Sequence, residues 1–462
     1  MKLYHTWGLE QPMRTLWTLL LCLFSLPALA AGEKVEEFML DNGMKVIVKP
    51  DHRAPVVVSQ VWYKVGSSYE LPGTTGVSHV LEHMMFKGTR KVPPDEFSRI
   101  VAALGGSENA FTGVDYTAYF ETLSNQHLER ALELEADRMQ NLLLDEKEFQ
   151  REVAVVREER RLRTDDDPNG LLWEQFNAVA WRVSPYRNPV IGWMHDLEVM
   201  TVADLQKWYD QWYSPDNALL VVVGDVIPAE VLALAKRHFG PIPARKREAW
   251  RQRPEPEQKG PVRMTLKVPA KQPVLLMGYK APAMVDLKEP AEAYALMVLS
   301  SILGDGDSSR LSAEVVRDQG LAVSASSSYD AFSRLSGLLE VEAIPAQGVD
   351  LDELEAALRA QVKRLREEPV SKAELERVIN RTLAAKVFAR DSMFYQAMLI
   401  GMRETNGYDW RSLEEELKHI RAVTPQQVQA VARKYLVEQH LTVARLEPVK
   451  TKGESGTGED KS

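Results

Sequence analysis

The sequence predicts a mixed α and β protein built as two similar halves, and three observations carry this. Strand-like and helical runs alternate in an order that recurs once along the chain. A polar, proline-bearing stretch separates the two passes, and 462 residues are far too many for one compact core. The first half opens with strands Met44 to Val48 (MKVIV) and Val56 to Val65 (VVVSQVWYKV), parted by a polar turn holding Asp51, His52 and Pro55. Helical periodicity follows, then a strand from Tyr116 to Thr122 and charged helices from about Asn125 to Arg163. The strand Ala218 to Val223 (ALLVVV) ends at Gly224-Asp225, and one more helix closes the half near residue 245.

Residues 246–262 are rich in charge and proline and poor in apolar side chains, and read as a linker. Beyond it the order returns: a strand at Val274 to Gly278, a helix from about Pro290 to Leu303 and a small-residue loop. A strand at Leu338 to Ala343, charged helices to Leu436 and a last strand at Leu441 to Leu446 complete it. Residues 34–245 and 263–448 are therefore read as copies of one unit. The tail, 449–462, is too polar to fold by itself.

Residues 1–30 read as a secretory signal peptide: Arg14, an apolar run from Leu16 to Leu26, Pro27, then the small-residue site Ala28-Leu29-Ala30. About eleven apolar residues fall short of the roughly twenty that span a hydrocarbon core. The expectation is export to the periplasm, with secretion as second choice, and no stable membrane anchor after cleavage. Cys22, the only cysteine, lies in this leader, so disulfides and thiolate metal sites are excluded from the mature chain. A formal charge of -9 without long basic runs argues against nucleic acid as a partner.

The chemistry concentrates in Ser78 to Thr89, SHVLEHMMFKGT. On a helix His79 and His83 lie one turn apart on one face and can aim imidazole nitrogens at a common point about 2 Å from each, with Glu82 bordering that face. Two neutral imidazoles beside a carboxylate suit a zinc ion and the base that activates its water. Solvated surface histidines are the plainer reading, but Val77, Val80, Leu81, Met84, Met85 and Phe86 surround the three, and unpaired polar groups buried there would cost several kcal/mol. HxxEH is moreover a zinc-hydrolase pattern. The corresponding helix of the second half reads ALMVLSSILG and has lost these residues.

A third ligand is sought in FQREVAVVREERRL, residues 149–162. Counting about 100° per residue from Glu152, the apolar Phe149, Val153, Val155, Val156 and Leu162 average near 20°, Glu159 falls near 340° and Glu158 near 240°. Glu159 is thus the better ligand, Glu152 stands two turns back on the same inward face, and Glu158 pairs with neighbouring arginines in water.

The motif His79-Val80-Leu81-Glu82-His83, followed by Met84 to Thr89 and by a glutamate 76 positions after His83, resembles the pitrilysin/insulinase family of inverted-motif zinc peptidases. Within it the likeness is nearest to mitochondrial processing peptidase beta subunits and their bacterial relatives. It extends to GGSENAFT (105–112) with Asp115-Tyr116-Thr117, to WYSPDN (212–217) leading into VVVGD (221–225), and to SSRL (308–311). The resemblance implies an α+β fold of two domains, each a largely antiparallel sheet packed with helices on one side, forming half of a clam-like chamber. It implies one Zn2+ per chain held by His79, His83 and Glu159, with Glu82 as general base and Glu152 as a supporting carboxylate. Asn109, Ala110, Phe111 and Thr112 would sit by the metal, where a peptide substrate could add to a sheet edge.

One departure bears on partners. Family members often hold the substrate backbone with an arginine and a tyrosine of the second half; here Arg310 is present, but Val323 stands where the tyrosine would be. A second, metal-free homologous subunit would supply the missing contact, so a heterodimer is favoured over a homodimer. The expected activity is zinc-dependent endopeptidase cleavage of unfolded peptides. Its rival is a non-catalytic assembly subunit resembling respiratory-complex core proteins, against which the intact HxxEH counts. A purely structural zinc would usually have four protein ligands, and only three are found.

Overall fold

The computed structural model describes residues 34–449 apart from Glu248, Ala249 and Gln252, so the leader at 1–30 and the tail from residue 450 lie outside the described residues. The first sheet comprises β1 (Glu36–Met39), β2 (Lys45–Pro50), β3 (Val56–Tyr63), β4 (Ser107–Thr112), β5 (Thr117–Ser124) and β6 (Ala218–Gly224) in the order β1-β2-β6-β3-β5-β4. The second comprises β7 (Val262–Val268), β8 (Val274–Ala281), β9 (Ala322–Tyr329), β10 (Gly337–Pro345) and β11 (Leu441–Pro448) in the order β7-β11-β8-β10-β9. With β1 set aside the two orders superimpose position for position. Each holds one parallel pair, β2 with β6 and β7 with β11, among antiparallel neighbours. The duplicated α+β architecture expected from the sequence is what the chain forms.

The helices of the first half are α1 (Val77–Met84), α2 (Glu96–Ala103), α3 (Leu128–Asn141), α4 (Glu146–Arg160), α5 (Pro168–Ala180), α6 (Met194–Val199), α7 (Val202–Trp212) and α8 (Pro228–His238). Those of the second are α9 (Ala291–Gly304), α10 (Leu351–Glu367), α11 (Lys372–Ala389), α12 (Met393–Thr405), α13 (Ser412–Arg421) and α14 (Pro425–Tyr435). On one face of the first sheet Val46, Val57, Val61, Tyr119 and Leu220 pack against α1, α3, α4, α7 and α8. Each sheet's opposite face is covered by a helix from the other half. Ala397 and Ile400 of α12 pack on Ile47, Val58, Trp62, Leu219 and Val221, while Leu172, Phe176 and Ala180 of α5 pack on Val274, Leu276, Leu338 and Leu446.

This exchange explains the composition of the central strands. β6 (ALLVVVG) is buried along its whole length, and β8 (VLLMGYKA) at all but one residue, so neither needs the polar alternation of a half-exposed strand. It also dictates two glycines. A Cβ on Gly278 would stand 2.6 Å from the Phe176 ring, and one on Gly401 would stand 2.0 Å from the Trp62 ring, so each close crossing needs a residue without a side chain.

The apolar stripe assigned to α4 is corrected in part. Phe149, Val153 and Val156 are buried, but Val155 is 50% and Leu162 71% exposed. Leu162 lies beyond the α-helix in a π-turn, Arg161–Asp165, and on the count of about 100° per residue both Leu162 and Val155 stand well over roughly 90° round from the centre of the three buried residues, toward solvent. Measured from the three truly buried residues, Glu152 and Glu159 flank the stripe on the side that faces α1.

Gly401→Val should destabilise the protein by about 1–3 kcal/mol, because Trp62 is fully buried and has nowhere to move. Urea unfolding checks this, with the midpoint lowered and the slope unchanged.

Candidate metal centre

α1 begins at Gly76, in the left-handed region with φ 88°, where a Cβ would meet the Ile191 carbonyl oxygen at 2.7 Å. No side chain of the preceding turn caps it. Instead the buried carboxylate of Glu70 accepts the N–H of Gly76 at 2.7 Å and of Ser78 at 2.9 Å, satisfying two of the free donors at the helix start. Burial lifts the Glu70 carboxyl to about 7, outweighing the two N–H donors that favour its charged form. Anchored this way, α1 buries Val77, Val80, Leu81 and Met84 and turns His79, Glu82 and His83 toward α4.

Nε2 of His79 lies 3.8 Å and Nε2 of His83 lies 3.7 Å from the same oxygen, Oε2 of Glu159. One ligand atom from each of the three residues falls within 4.8 Å of the others, the spacing at which a single ion can touch all three. The His83 Nδ1 sits 3.1 Å from Glu152 Oε2, whose other oxygen is 3.0 Å from Lys87 Nζ. Donating Nδ1–H to Glu152 leaves the Nε2 lone pair facing Glu159, the arrangement metal-bound histidines commonly show. The hydrogen bond from His83 holds Glu152 below the usual carboxylate range, with Lys87 acting the same way against burial. Burial, aided by His83 and Arg163, lowers His79 to about 3, so its imidazole is neutral and its lone pair available at ordinary pH.

Glu82 borders this triangle and accepts a 2.5 Å hydrogen bond from Thr112 Oγ1. Burial raises its carboxyl above the ordinary value despite that bond and the nearby His83. Two imidazole nitrogens and a carboxylate oxygen form the donor set of a three-ligand zinc site, and the residues present fit that ion.

His79, Glu82, His83, Glu159 and Asn109 to Thr112 all line one cavity of about 640 Å3. Asn109 to Thr112 belong to β4, the last strand of the first sheet, so no strand among the described residues pairs with its outer edge, where the Ala110 N–H donates to Asn109 Oδ1 at 2.8 Å. Glu158 is exposed and pairs with Arg161. Arg310 does not line this cavity; its guanidinium makes a bidentate pair with Glu374 at 2.8 and 2.9 Å and is largely buried. Val323 is exposed in β9, the terminal strand of the second sheet.

Sequence reasoning missed Lys87, Arg163, Trp173, Glu174 and Asn177. Lys87 and Arg163 were findable, each four residues after a candidate ligand; Arg163 reaches back to Glu159 Oε1 at 2.5 Å. The other three come from the exchanged helix α5, and no local pattern places them at this cavity.

The Insulinase (Peptidase family M16) family model matches residues 45–193, and that of the Peptidase M16 inactive domain matches residues 200–382. Zinc protease PqqE of Helicobacter pylori is 36% identical over 352 residues, covering 75% of this chain and 78% of that protein. The chain belongs to the insulinase (M16) peptidase family. An uncharacterized zinc protease of Mycobacterium leprae is 32% identical over 408 residues, covering 86% of the M16 chain described here and 88% of its own. A solved protease structure from Helicobacter pylori shares the fold with TM-score 0.85 at 32% identity, over 90% of this chain and 100% of that one. The inactive-domain match begins well past the HxxEH helix, in the last part of the first half, and runs on into the half that lacks those residues.

Glu70 gives this M16 chain a pH signature. Its folded pKa lies above its ordinary 4.5, so its contribution to stability is full below pH 4.5 and is lost as pH rises through about 7. Stability of wild type relative to Glu70→Gln, from urea titrations at pH 4.5, 6, 7 and 8, should fall across that window; parallel profiles would contradict it.

Proposed function

We propose that this protein is a zinc-dependent endopeptidase acting on extended peptides, with His79, His83 and Glu159 as metal ligands and Glu82 as general base. The observation that carries the reading is the convergence of both Nε2 atoms on one oxygen of Glu159, with Glu82 alongside in the same cavity. Zinc, when bound, supplies a Lewis acid that polarises the scissile carbonyl and acidifies water. The chain's own residues do the rest. Glu82, its carboxyl raised by burial, takes a proton from water and returns it to the departing amine. Thr112 holds the Glu82 carboxylate in place. Glu152 fixes the tautomer of His83, and Lys87 fixes Glu152.

A peptide added as a further strand along the outer edge of β4 would run past Glu82 and take the Ala110 N–H over from Asn109 Oδ1. This favours unfolded substrates, since only an extended backbone can pair with the strand. Val323, exposed on β9, offers no hydroxyl to a substrate backbone, and Arg310 is taken up by Glu374; both support a metal-free homologous subunit as partner. The leader supports action outside the cytoplasm, and no helix among the described residues is long and apolar enough to cross a membrane.

Glu82→Gln should retain stoichiometric zinc by metal analysis while peptide cleavage falls at least ~100-fold, the usual worth of a general base. A chelator should abolish wild-type cleavage, and added zinc restore it. Full cleavage by Glu82→Gln would defeat the assignment. Glu152→Ala should keep the fold and lose about 10–100-fold in zinc affinity or turnover, read by competition with a chromophoric chelator.

A further inference from the structure

We propose that Arg160 and Glu174 are positioning residues for the metal site, the link through which the metal-free half sets where Glu159 stands. The inference rests on the zinc reading above. Arg160 follows Glu159 in the chain and is the last residue of α4. It is only 4% exposed, and both Nη atoms of its guanidinium are engaged, while Nε has no hydrogen-bond partner. Nη1 donates to Glu174 Oε2 at 2.6 Å and to the Gly192 carbonyl at 2.9 Å; Nη2 donates to Glu174 Oε1 at 3.0 Å and lies 3.3 Å from Asp165.

Each partner leads to a different part of the site. Glu174 sits on α5 midway between Leu172 and Phe176, so it projects from the face opposite the one those residues pack onto the second sheet. One face of α5 is thereby fixed to the metal-free half, while Trp173, Glu174 and Asn177 line the metal cavity. Gly192 belongs to the turn packed backbone to backbone against the start of α1: a Cβ there would lie 2.6 Å from the Gly76 Cα. Arg160 therefore ties the end of the helix carrying Glu159 to the beginning of the helix carrying both histidines.

The chain between Glu159 and α5 does not fix this geometry by itself. It passes through the π-turn Arg161–Asp165, an irregular stretch of the kind found at functional sites. A bidentate pair across that turn supplies the rigidity that the helix lacks there. Displacing the second sheet moves Phe176, and with it Glu174, Arg160 and the Glu159 carboxylate relative to the imidazoles. A role for the metal-free half follows: it holds the third ligand in register.

The test measures zinc affinity of the full chain by competition with a chromophoric chelator, alongside melting of the metal-free and zinc-loaded forms. Glu174→Gln should bind zinc about 10–100-fold more weakly and lose more Tm in the zinc-loaded than in the metal-free form. Arg160→Lys, which keeps the charge but not the fork, should show a smaller loss and serves if Glu174→Gln fails to fold. Phe176→Leu, which loosens α5 on the second sheet without touching the pair, should shift affinity in the same direction. In a Glu159→Gln background Glu174→Gln should add almost nothing. An unchanged affinity in Glu174→Gln or Phe176→Leu, equal Tm losses with and without zinc, or an undiminished effect in the Glu159→Gln background would overturn the proposal. If wild type binds zinc and Glu174→Gln binds it equally well, this inference alone falls; if wild type binds none, the zinc reading falls and takes it along.

Discussion

Everything at this site depends on holding two helices at a fixed separation. One turn of α1 sets the spacing of the two imidazoles automatically, because helical geometry places positions four apart on one face. Nothing local brings the Glu159 carboxylate to within 4 Å of both Nε2 atoms, since it sits 76 residues further on. That distance is set by packing: Val80, Leu81 and Met84 of α1 share a core with Phe149, Val153 and Val156 of α4. The two helices converge over a sheet whose central strand is buried throughout.

Polar groups reinforce the packing where apolar contacts stop. The start of α1 is held by Glu70, its histidine by Glu152, and Glu152 by Lys87. Each of these groups is buried or half-buried and each has a defined partner, so the cost of desolvating them is met by directed bonds. A carboxylate removed from this chain would leave a donor unpaired, which costs more than the bond itself contributes. The second half has the same strand order and the same exchange of one helix, but no HxxEH. It supplies the first half with α12, which covers the outer face of the first sheet, and with Arg334, which donates to Asp115 and Ser68, while α5 makes the reciprocal crossing.

Much of this was legible in the sequence, for identifiable reasons. The duplication could be read because the central strands are apolar runs and the helices carry strong charge patterns. The candidate ligands His79 and His83 with Glu82 could be read because their spacing is helical, and Glu159 because it falls on the inward side of its own helix and matches the family pattern. The strands β1, β4, β7 and β9 were not foreseen: β1 (EEFM), β4 (SENAFT) and β9 (AVSASSSY) are edge strands without a long apolar run, and β7 (VRMTLKV) merges with the linker. The helix exchange was invisible because a helix pattern shows that one face is buried, not which sheet buries it. The alternation in α5 between Phe176 and Glu174 held the clue, but its two faces turn to different halves. The apolar stripe of α4 was misjudged because the average took in Val155 and Leu162, which lie on the solvent side of the three residues the core buries.

The most direct test is a crystal structure grown with zinc, with anomalous scattering recorded at the zinc edge. The account predicts a single strong peak per chain, about 2 Å from Nε2 of His79, Nε2 of His83 and a carboxylate oxygen of Glu159. A peak elsewhere, or a peak at the histidines with the Glu159 side chain turned out of coordinating reach, would contradict it.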